Sequence, residues 1–201
     1  MTSHGERAVR AGRILEGVIQ STLEGDRAHR FVVIPTSEFL LAKQHGEHSP
    51  DRLLVKDFPY DTIYRTRGKT EFLLCADEIS GTAAFPAQRD FVCRVECKYQ
   101  ATSGSVDEKF PYLYLSCVEA MPEKNIIILM EAKGARAEAV RWLTTAVREQ
   151  RYDSTKSKRI VLMSIAEFMA WANDAFGAYD RGVQGTRVPI PGPAATIEPN
   201  R

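Results

Sequence analysis

A carboxylate and a lysine two residues apart stand in a strand-like segment near the middle of the chain, residues 94–100. Side chains alternate across a β-strand, so Glu96, Lys98 and Gln100 are expected to share one face with Arg94, opposite an apolar face. A carboxylate can bind a divalent cation, and an ammonium group can offset charge that develops on a phosphate. The polar row is therefore either a solvated sheet face or a catalytic surface.

Two more acids could join this pair. Glu71 lies in the preceding strand-like segment, and Glu16 lies on the polar side of an amphipathic segment near the N-terminus. Mg²⁺ prefers oxygen ligands and usually keeps several waters, so Glu71 and Glu96 would hold it together with a substrate phosphate. In such a site Lys98 would orient or help to deprotonate the attacking water. Glu16 would hold a metal-bound water or a second ion.

Basic residues shortly before Glu71 could contact phosphate groups. Lys and Arg side chains that reach phosphate oxygens position a nucleic acid without reading its sequence. The candidates are Arg65, Arg67 and Lys69. Over the whole chain 27 Lys and Arg balance 26 Asp and Glu, so any surface that attracts nucleic acid must be local.

Hydrophobic periodicity, turn residues and capping signals predict the elements that position these side chains. Helices are expected at residues 8–24, 107–120, 135–150 and 165–176, the last opened by a capping box of Ser164 and Glu167. Strands are expected at residues 31–34, 71–75, 91–100, 125–130 and 160–163. The second and third of these strands are expected to pair as an antiparallel hairpin, whereas residues 41–69 are expected to be irregular. This order predicts an α/β domain with a mixed sheet.

Length and composition predict a single domain. A chain of 201 residues that is 44% hydrophobic can form one sizeable core, expected over residues 1–178, with a flexible proline-rich tail at 179–201. The four cysteines form no CxxC pair and have no histidine at zinc-ligand spacing, so buried thiols are expected. No apolar run is long enough for a membrane span, and the N-terminus is too polar for a secretory signal, which predicts a soluble, cytoplasmic protein.

The acids and the lysine, in this order of elements, resemble the PD-(D/E)XK nuclease superfamily. Glu96-Cys97-Lys98 matches its acid-x-lysine motif, and Glu71 stands where the first acid would be, as Glu rather than Asp and without the preceding Pro. Residues 12–16, GRILE, resemble the GxxxE element on the first helix of many members. Residues 103–109, SGSVDEK, resemble a segment of small phage and restriction-type nucleases. The resemblance covers about residues 8–165.

This resemblance implies a restriction-endonuclease-like αβββαβ core in which helices flank a mixed central sheet. It also implies a Mg²⁺-dependent deoxyribonuclease, with Mn²⁺ as a substitute, that acts by in-line attack of a metal-activated water and leaves a 5′-phosphate. A restriction-type or phage-associated endonuclease is favoured, with DNA as its partner, and double-strand cleavage would favour a homodimer. The residues assigned to catalysis are Glu16, Glu71, Glu96, Lys98 and Gln100, of which Glu71 and Glu96 bind the metal.

Each assignment has a structural alternative. Arg65, Arg67 and Lys69 could belong to a solvated loop. Glu96 and Lys98 could form a charge pattern on an exposed sheet face. Glu71 could start a strand at a solvent edge, and Glu16 could be an ordinary solvent-facing helix residue. For function, the alternative is a catalytically weak or inactive module with the nuclease fold that binds nucleic acid or a protein partner, because Glu in place of Asp at position 71 could weaken the metal site.

Overall fold

A six-stranded mixed sheet forms the centre of the computed structural model, which describes residues 4–24, 29–46, 50–99, 109–131 and 134–177. The elements in chain order are α1 (His4–Leu23), β1 (Val32–Pro35), α2 (Thr36–His45), β2 (Arg52–Asp61), β3 (Arg67–Ile79), β4 (Gln88–Tyr99), α3 (Lys109–Leu115) with a π-helical turn (Ser116–Ala120), β5 (Asn125–Glu131), α4 (Ala137–Glu149), β6 (Arg159–Met163) and α5 (Ile165–Phe176). Gln100, residues 103–108 and the tail expected at 179–201 lie outside the described residues.

The strands lie side by side in sequence order. β2, β3 and β4 form an antiparallel meander, while β4, β5 and β6 are parallel to one another and β1 is parallel to β2. The succession α1, β2, β3, β4, α3, β5 is the expected αβββαβ core, and β1 and α2 are inserted between its first helix and first strand. The predicted fold class is therefore confirmed.

Helices cover both faces of the sheet and leave the apolar core in two layers. α1 and α5 pack on one face, where Leu15, Ile19 and Trp171 meet Val95 and Ile127. On the other face α2, α3 and α4 each pack over a cluster of sheet side chains. Because helices cover both faces of the sheet, the side chains of β5 are buried on both sides, which explains the continuous apolar run at residues 126–129.

The prediction that residues 41–69 are irregular was wrong. The end of α2, the whole of β2 and the start of β3 lie there. Pro59 is tolerated inside β2 because β1 pairs only with residues 53–56 of that strand. Within the described residues no strand adjoins the outer edge of β2 beyond this point, so the missing N–H of Pro59 leaves no partner strand unsatisfied there.

Other predicted elements are confirmed with shifted ends. The 71–75 and 91–100 segments form the expected hairpin as parts of the longer β3 and β4. Ser164 and Glu167 make both hydrogen bonds of the capping box at α5. The four cysteine thiols are free and buried. Among the described residues no helix is both long and apolar enough to cross a bilayer.

Candidate active site

The candidate site lies where β3 and β4 diverge. Their antiparallel pairing extends as far as Phe72 opposite Val95. β4 continues beyond this point in register with β5, as far as Tyr99 opposite Glu131. The part of β4 that carries the acid-x-lysine motif therefore pairs with β5 but no longer with β3. The gap between β3 and β4 forms an opening, and Glu71 lies beside it on β3.

Glu71 spans this opening with its carboxylate. Its Oε2 accepts a hydrogen bond of 2.7 Å from the backbone N–H of Cys97. The Glu71 carboxylate thus accepts the hydrogen bond in place of a backbone carbonyl of β3. It satisfies the Cys97 N–H, which the diverging strand no longer pairs with. The bond also holds Glu71 beside Glu96, the residue before Cys97. Glu71 is therefore inside a paired strand and half-buried, which excludes the alternative that it starts a strand at a solvent edge.

Glu96 is the most perturbed acid of the site. Glu96 is 5% exposed, its Oε1 is paired with Lys98 Nζ, and its buried Oε2 has no hydrogen-bond partner in the part of the chain that the structure describes. Burial raises the pKa of Glu96 to about 7, the Lys98 charge opposes the rise, and the Glu71 charge adds to it. A solvated sheet face, the structural alternative for this residue, is excluded by that burial.

Lys98 reaches solvent while remaining paired with Glu96. Its side chain is 32% exposed. Burial lowers the pKa of Lys98, but the charges of Glu96 and Glu71 outweigh this effect and hold the pKa above its ordinary value. Lys98 is therefore a protonated donor at neutral pH in this arrangement, suited to offset negative charge rather than to accept a proton.

α1 brings a third acid towards the pair. Glu16 is half-buried, and burial raises its pKa, with further increases from the charges of Glu71 and Asp57. The two carboxylates therefore interact electrostatically, as the GxxxE resemblance leads one to expect. Glu16 is therefore half-buried and within electrostatic range of Glu71.

The predicted basic residues lie on the β2–β3 hairpin and are exposed. Lys69 is paired with Asp57 at 2.5 Å, and the negative charges of Glu16 and Glu71 contribute to its raised pKa. Arg65 lies in the turn and Arg67 starts β3. Lys69 is therefore near the acids but already paired, whereas the two arginines lie farther along the hairpin.

The sequence placed Arg94 in the polar row without assigning it a role. Its side chain is 1% exposed, and its guanidinium is paired with Glu123. It also donates to the carbonyl oxygens of Phe58 and Pro59, at 3.2 and 2.9 Å. These contacts tie β2 to β4 and to the chain entering β5, directly beside the candidate site. Sequence alone could not identify the partners, since they are distant along the chain.

A second residue that the sequence reasoning missed is Tyr60 on β2. Burial raises its pKa to about 12, and the charge of Glu96 contributes to this rise. The phenol is therefore within electrostatic range of the acid. The sequence signal is weak, because Tyr60 lies in the segment that was expected to be irregular.

The donor set fits a hard divalent cation. Carboxylate oxygens are the ligands that Mg²⁺ prefers, and one or two of them suffice when waters and a phosphate complete the shell. The buried Oε2 of Glu96, which no described residue satisfies, is an acceptor that a cation could compensate. Within the described part of the chain no group of three or more His, Cys, Asp or Glu side chains is arranged to hold a metal, so the fit is to two carboxylates only.

A family model described as a PD-(D/E)XK nuclease superfamily domain matches residues 7–176. The chain belongs to the PD-(D/E)XK nuclease superfamily. Searches of curated proteins and of solved structures found no match. Glu96-Cys97-Lys98, the segment that matches the acid-x-lysine pattern, lies on β4, and Glu71, preceded by Thr70 instead of Pro, lies on β3. The family implies a nuclease.

Proposed function

We propose that this protein is a metal-dependent nuclease that hydrolyses phosphodiester bonds in DNA, with Mg²⁺ as its ion and Mn²⁺ as a substitute. The observation that carries the proposal is the state of Glu96, which is buried, paired with Lys98 through one oxygen and without a hydrogen-bond partner among the described residues at the other. A carboxylate held in this way is costly to the fold unless a cation or a proton compensates it. Perturbed acids of this kind concentrate at functional sites.

Each residue of the site has a role that follows from its position. Glu71 and Glu96 would hold the cation, because they flank the opening between β3 and β4. When bound, a Mg²⁺ or Mn²⁺ ion polarises a phosphoryl oxygen and lowers the pKa of a water molecule. The protonated Lys98 offsets negative charge that develops on the phosphate, and it orients a water by hydrogen bonding. Glu16 orients a further water from the α1 side.

The DNA backbone would approach over the β2–β3 hairpin. Arg65 and Arg67 are exposed there, and Lys69 lies closer to the acids. Such contacts position the backbone and carry no sequence information. A restriction-type or phage-associated endonuclease would use two such sites in a homodimer, one for each strand of the duplex.

Cleavage of three substrates tests the proposal. Supercoiled plasmid, linear duplex and single-stranded DNA are incubated with the full chain in Mg²⁺, Mn²⁺ or chelator. The same assay is run on Glu96→Ala, Lys98→Ala and the exposed-acid control Glu138→Gln. Metal-dependent products that persist in the control and disappear in both site variants support the proposal. Activity that survives both site changes comes from elsewhere and contradicts it.

A nucleic-acid-binding module without turnover is the second candidate. It is favoured by the Glu at position 71 and by the lack, among the residues described, of a cluster of three or more metal-ligating side chains. Calorimetry with Mg²⁺ and Mn²⁺ separates the two. The nuclease requires heat of metal binding that Glu96→Ala abolishes, whereas a module without turnover binds DNA and shows no such heat.

A further inference from the structure

Two tyrosines form a stacked pair at the tip of the β2–β3 hairpin. The rings of Tyr64 and Tyr112 lie 5.3 Å apart between centroids, with an angle of 19° between their planes. Tyr64 is 71% exposed although one face of its ring covers Tyr112. The opposite face of the Tyr64 ring is therefore left uncovered by the described residues.

The pair lies at the same end of the sheet as the acids. β3 runs antiparallel to β4, so the hairpin that precedes β3 lies towards the end of β4 that carries Glu96 and Lys98. Tyr112 comes from α3, the helix that follows β4. Tyr60 lies between the two regions, because the Arg94 guanidinium of β4 lies 5.4 Å from the centroid of its ring, and the same ring packs against Gly68 at the base of the hairpin.

The hairpin holds Tyr64 on a rigid base. Thr62 and Thr66 close it through a backbone hydrogen bond of 2.9 Å and a contact of 2.8 Å between their hydroxyls. A Cβ on Gly68 would lie 2.8 Å from Thr62 Cγ2 and 3.1 Å from Tyr60 Cζ, so the strand packs too closely there for a side chain. A rigid, exposed ring loses little conformational entropy when a flat ligand stacks on it.

We propose that the Tyr64–Tyr112 pair is a stacking site for an unpaired nucleobase, so that the substrate presents single-stranded DNA beside the acidic site. This inference rests on the proposed function, because it names the form of nucleic acid that the same site receives. Aromatic side chains accept any base on their π-faces, provided that the base is free of its own stack. A tyrosine needed only to close the hairpin would gain by burying both faces, as the core ring pairs of the α5 region do.

The surrounding charge fits the same ligand. Arg65 follows Tyr64 directly and Arg67 lies two residues further on, both exposed. Cationic side chains along an aromatic platform follow the backbone of a single strand while its bases stack. The basic residues would thus contact the phosphate backbone of a single strand, and the Tyr64 ring would contact one of its bases.

Binding of a short single-stranded oligodeoxynucleotide tests the inference. The readouts are anisotropy of an end label and fluorescence of 2-aminopurine placed at one position at a time, with a chelator present to prevent metal-dependent cleavage. The full chain is compared with Tyr64→Ala, Tyr64→Trp and Tyr152→Ala. Tyr152 is the matched control, since it is 65% exposed and precedes β6, at the opposite end of the parallel strands.

We expect Tyr64→Ala to weaken binding of the single strand about tenfold and to abolish 2-aminopurine quenching at one position. Tyr64→Trp and Tyr152→Ala retain wild-type binding, and a blunt duplex of the same sequence binds equally to all four proteins. Wild-type affinity of Tyr64→Ala for the single strand overturns the inference, as does an equal loss for single strand and duplex. If Tyr64→Ala unfolds early, Tyr64→Leu keeps contact with Tyr112 and is expected to show the same loss.

Cleavage and base stacking are measured separately, so each can be lost without the other. Cleavage that Glu96→Ala abolishes and that is indifferent to Tyr64→Ala keeps the nuclease and removes the stacking site. Position-specific quenching that depends on Tyr64, in a chain that cleaves nothing with any metal, keeps the stacking site and removes the nuclease.

Discussion

The carboxylate of Glu71 accepts a hydrogen bond of 2.7 Å from the backbone N–H of Cys97. This bond bridges two strands just past the end of their ladder, so it links the geometry of the acid pair to the integrity of the sheet. Glu71 therefore has a structural role through its hydrogen bond and a proposed metal-binding role through its charge. Substitutions that remove the charge alone, or both the charge and the hydrogen bond, should separate the two roles.

Glu71→Gln retains an oxygen acceptor, and Glu71→Ala does not. We expect Glu71→Ala to lower the free energy of unfolding by about 1–3 kcal/mol, because the N–H of Cys97 loses its acceptor. Glu71→Gln should cost less, yet both variants should lose Mg²⁺ binding because both lose the charge. Urea unfolding and calorimetry measure the two effects. Unchanged stability of Glu71→Ala would contradict the structural role, and retained metal binding would contradict the ligand role.

Without metal, Glu96 should make the fold less stable as the pH rises. Its folded-state pKa of about 7 lies above the ordinary value of 4.5, so the folded chain binds the proton more tightly than the unfolded chain does. The favourable contribution is complete below pH 4.5 and is lost as the pH rises to about 7.

Glu96→Gln removes that titration. The variant should match the wild type near pH 4.5 and exceed its free energy of unfolding by about 1–3 kcal/mol above pH 7, while activity is lost. Urea unfolding over a pH series in chelator measures the difference. A variant that is less stable than the wild type above pH 7 would show that the Lys98 pair outweighs the cost of burial.

Arg94 and Glu123 form a buried ion pair beside the site. Removing one partner leaves the other charge without compensation, so Arg94→Met should cost about 3–5 kcal/mol of unfolding free energy. The double variant Arg94→Met/Glu123→Leu should recover part of that loss. The exposed Arg141→Met is the control, with an expected change within about 0.5 kcal/mol. A single-variant cost as small as that of Arg141→Met would show that the pair is dispensable.

The four thiols should be unreactive in the folded chain. Burial raises the pKa of Cys75 to about 12 and raises those of Cys93, Cys97 and Cys117 as well, which suppresses the reactive thiolate. Iodoacetamide at neutral pH should label none of them until urea unfolds the protein, and then all four. Rapid labelling of any one under native conditions, mapped by mass spectrometry, would contradict its burial.

Elements with a strong local signal could be predicted from the sequence. The apolar run of residues 126–129 marked β5, and the capping box of Ser164 and Glu167 marked the start of α5. Local patterns of this kind depend on neighbours within a few residues. β2 was missed because Pro59 and the many charges argue against a strand. That argument fails where β1 leaves the outer edge of β2 uncovered.

The sequence predicted which strands carry the candidate residues, but it did not predict their contacts. The acid-x-lysine spacing placed Glu96 and Lys98 on one side of a strand, and the structure pairs them. The bond from Cys97 to Glu71, the pairing of Arg94 with Glu123 and the stacking of Tyr64 on Tyr112 all join residues more than twenty positions apart. No local spacing encodes such contacts, because tertiary packing creates them.

Relaxation of supercoiled plasmid DNA by the purified full chain is a direct test of metal-dependent cleavage at Glu96. The rate is followed against Mg²⁺ concentration for the wild type, for Glu96→Gln, which keeps the shape of the side chain, and for Glu138→Gln, which removes an exposed acid on α4. We expect Mg²⁺-dependent nicking or linearisation by the wild type and Glu138→Gln, with loss of at least about a hundredfold in Glu96→Gln. Equal rates for Glu96→Gln and the wild type, or no cleavage by any of the three, would contradict a metal-dependent nuclease built on Glu96.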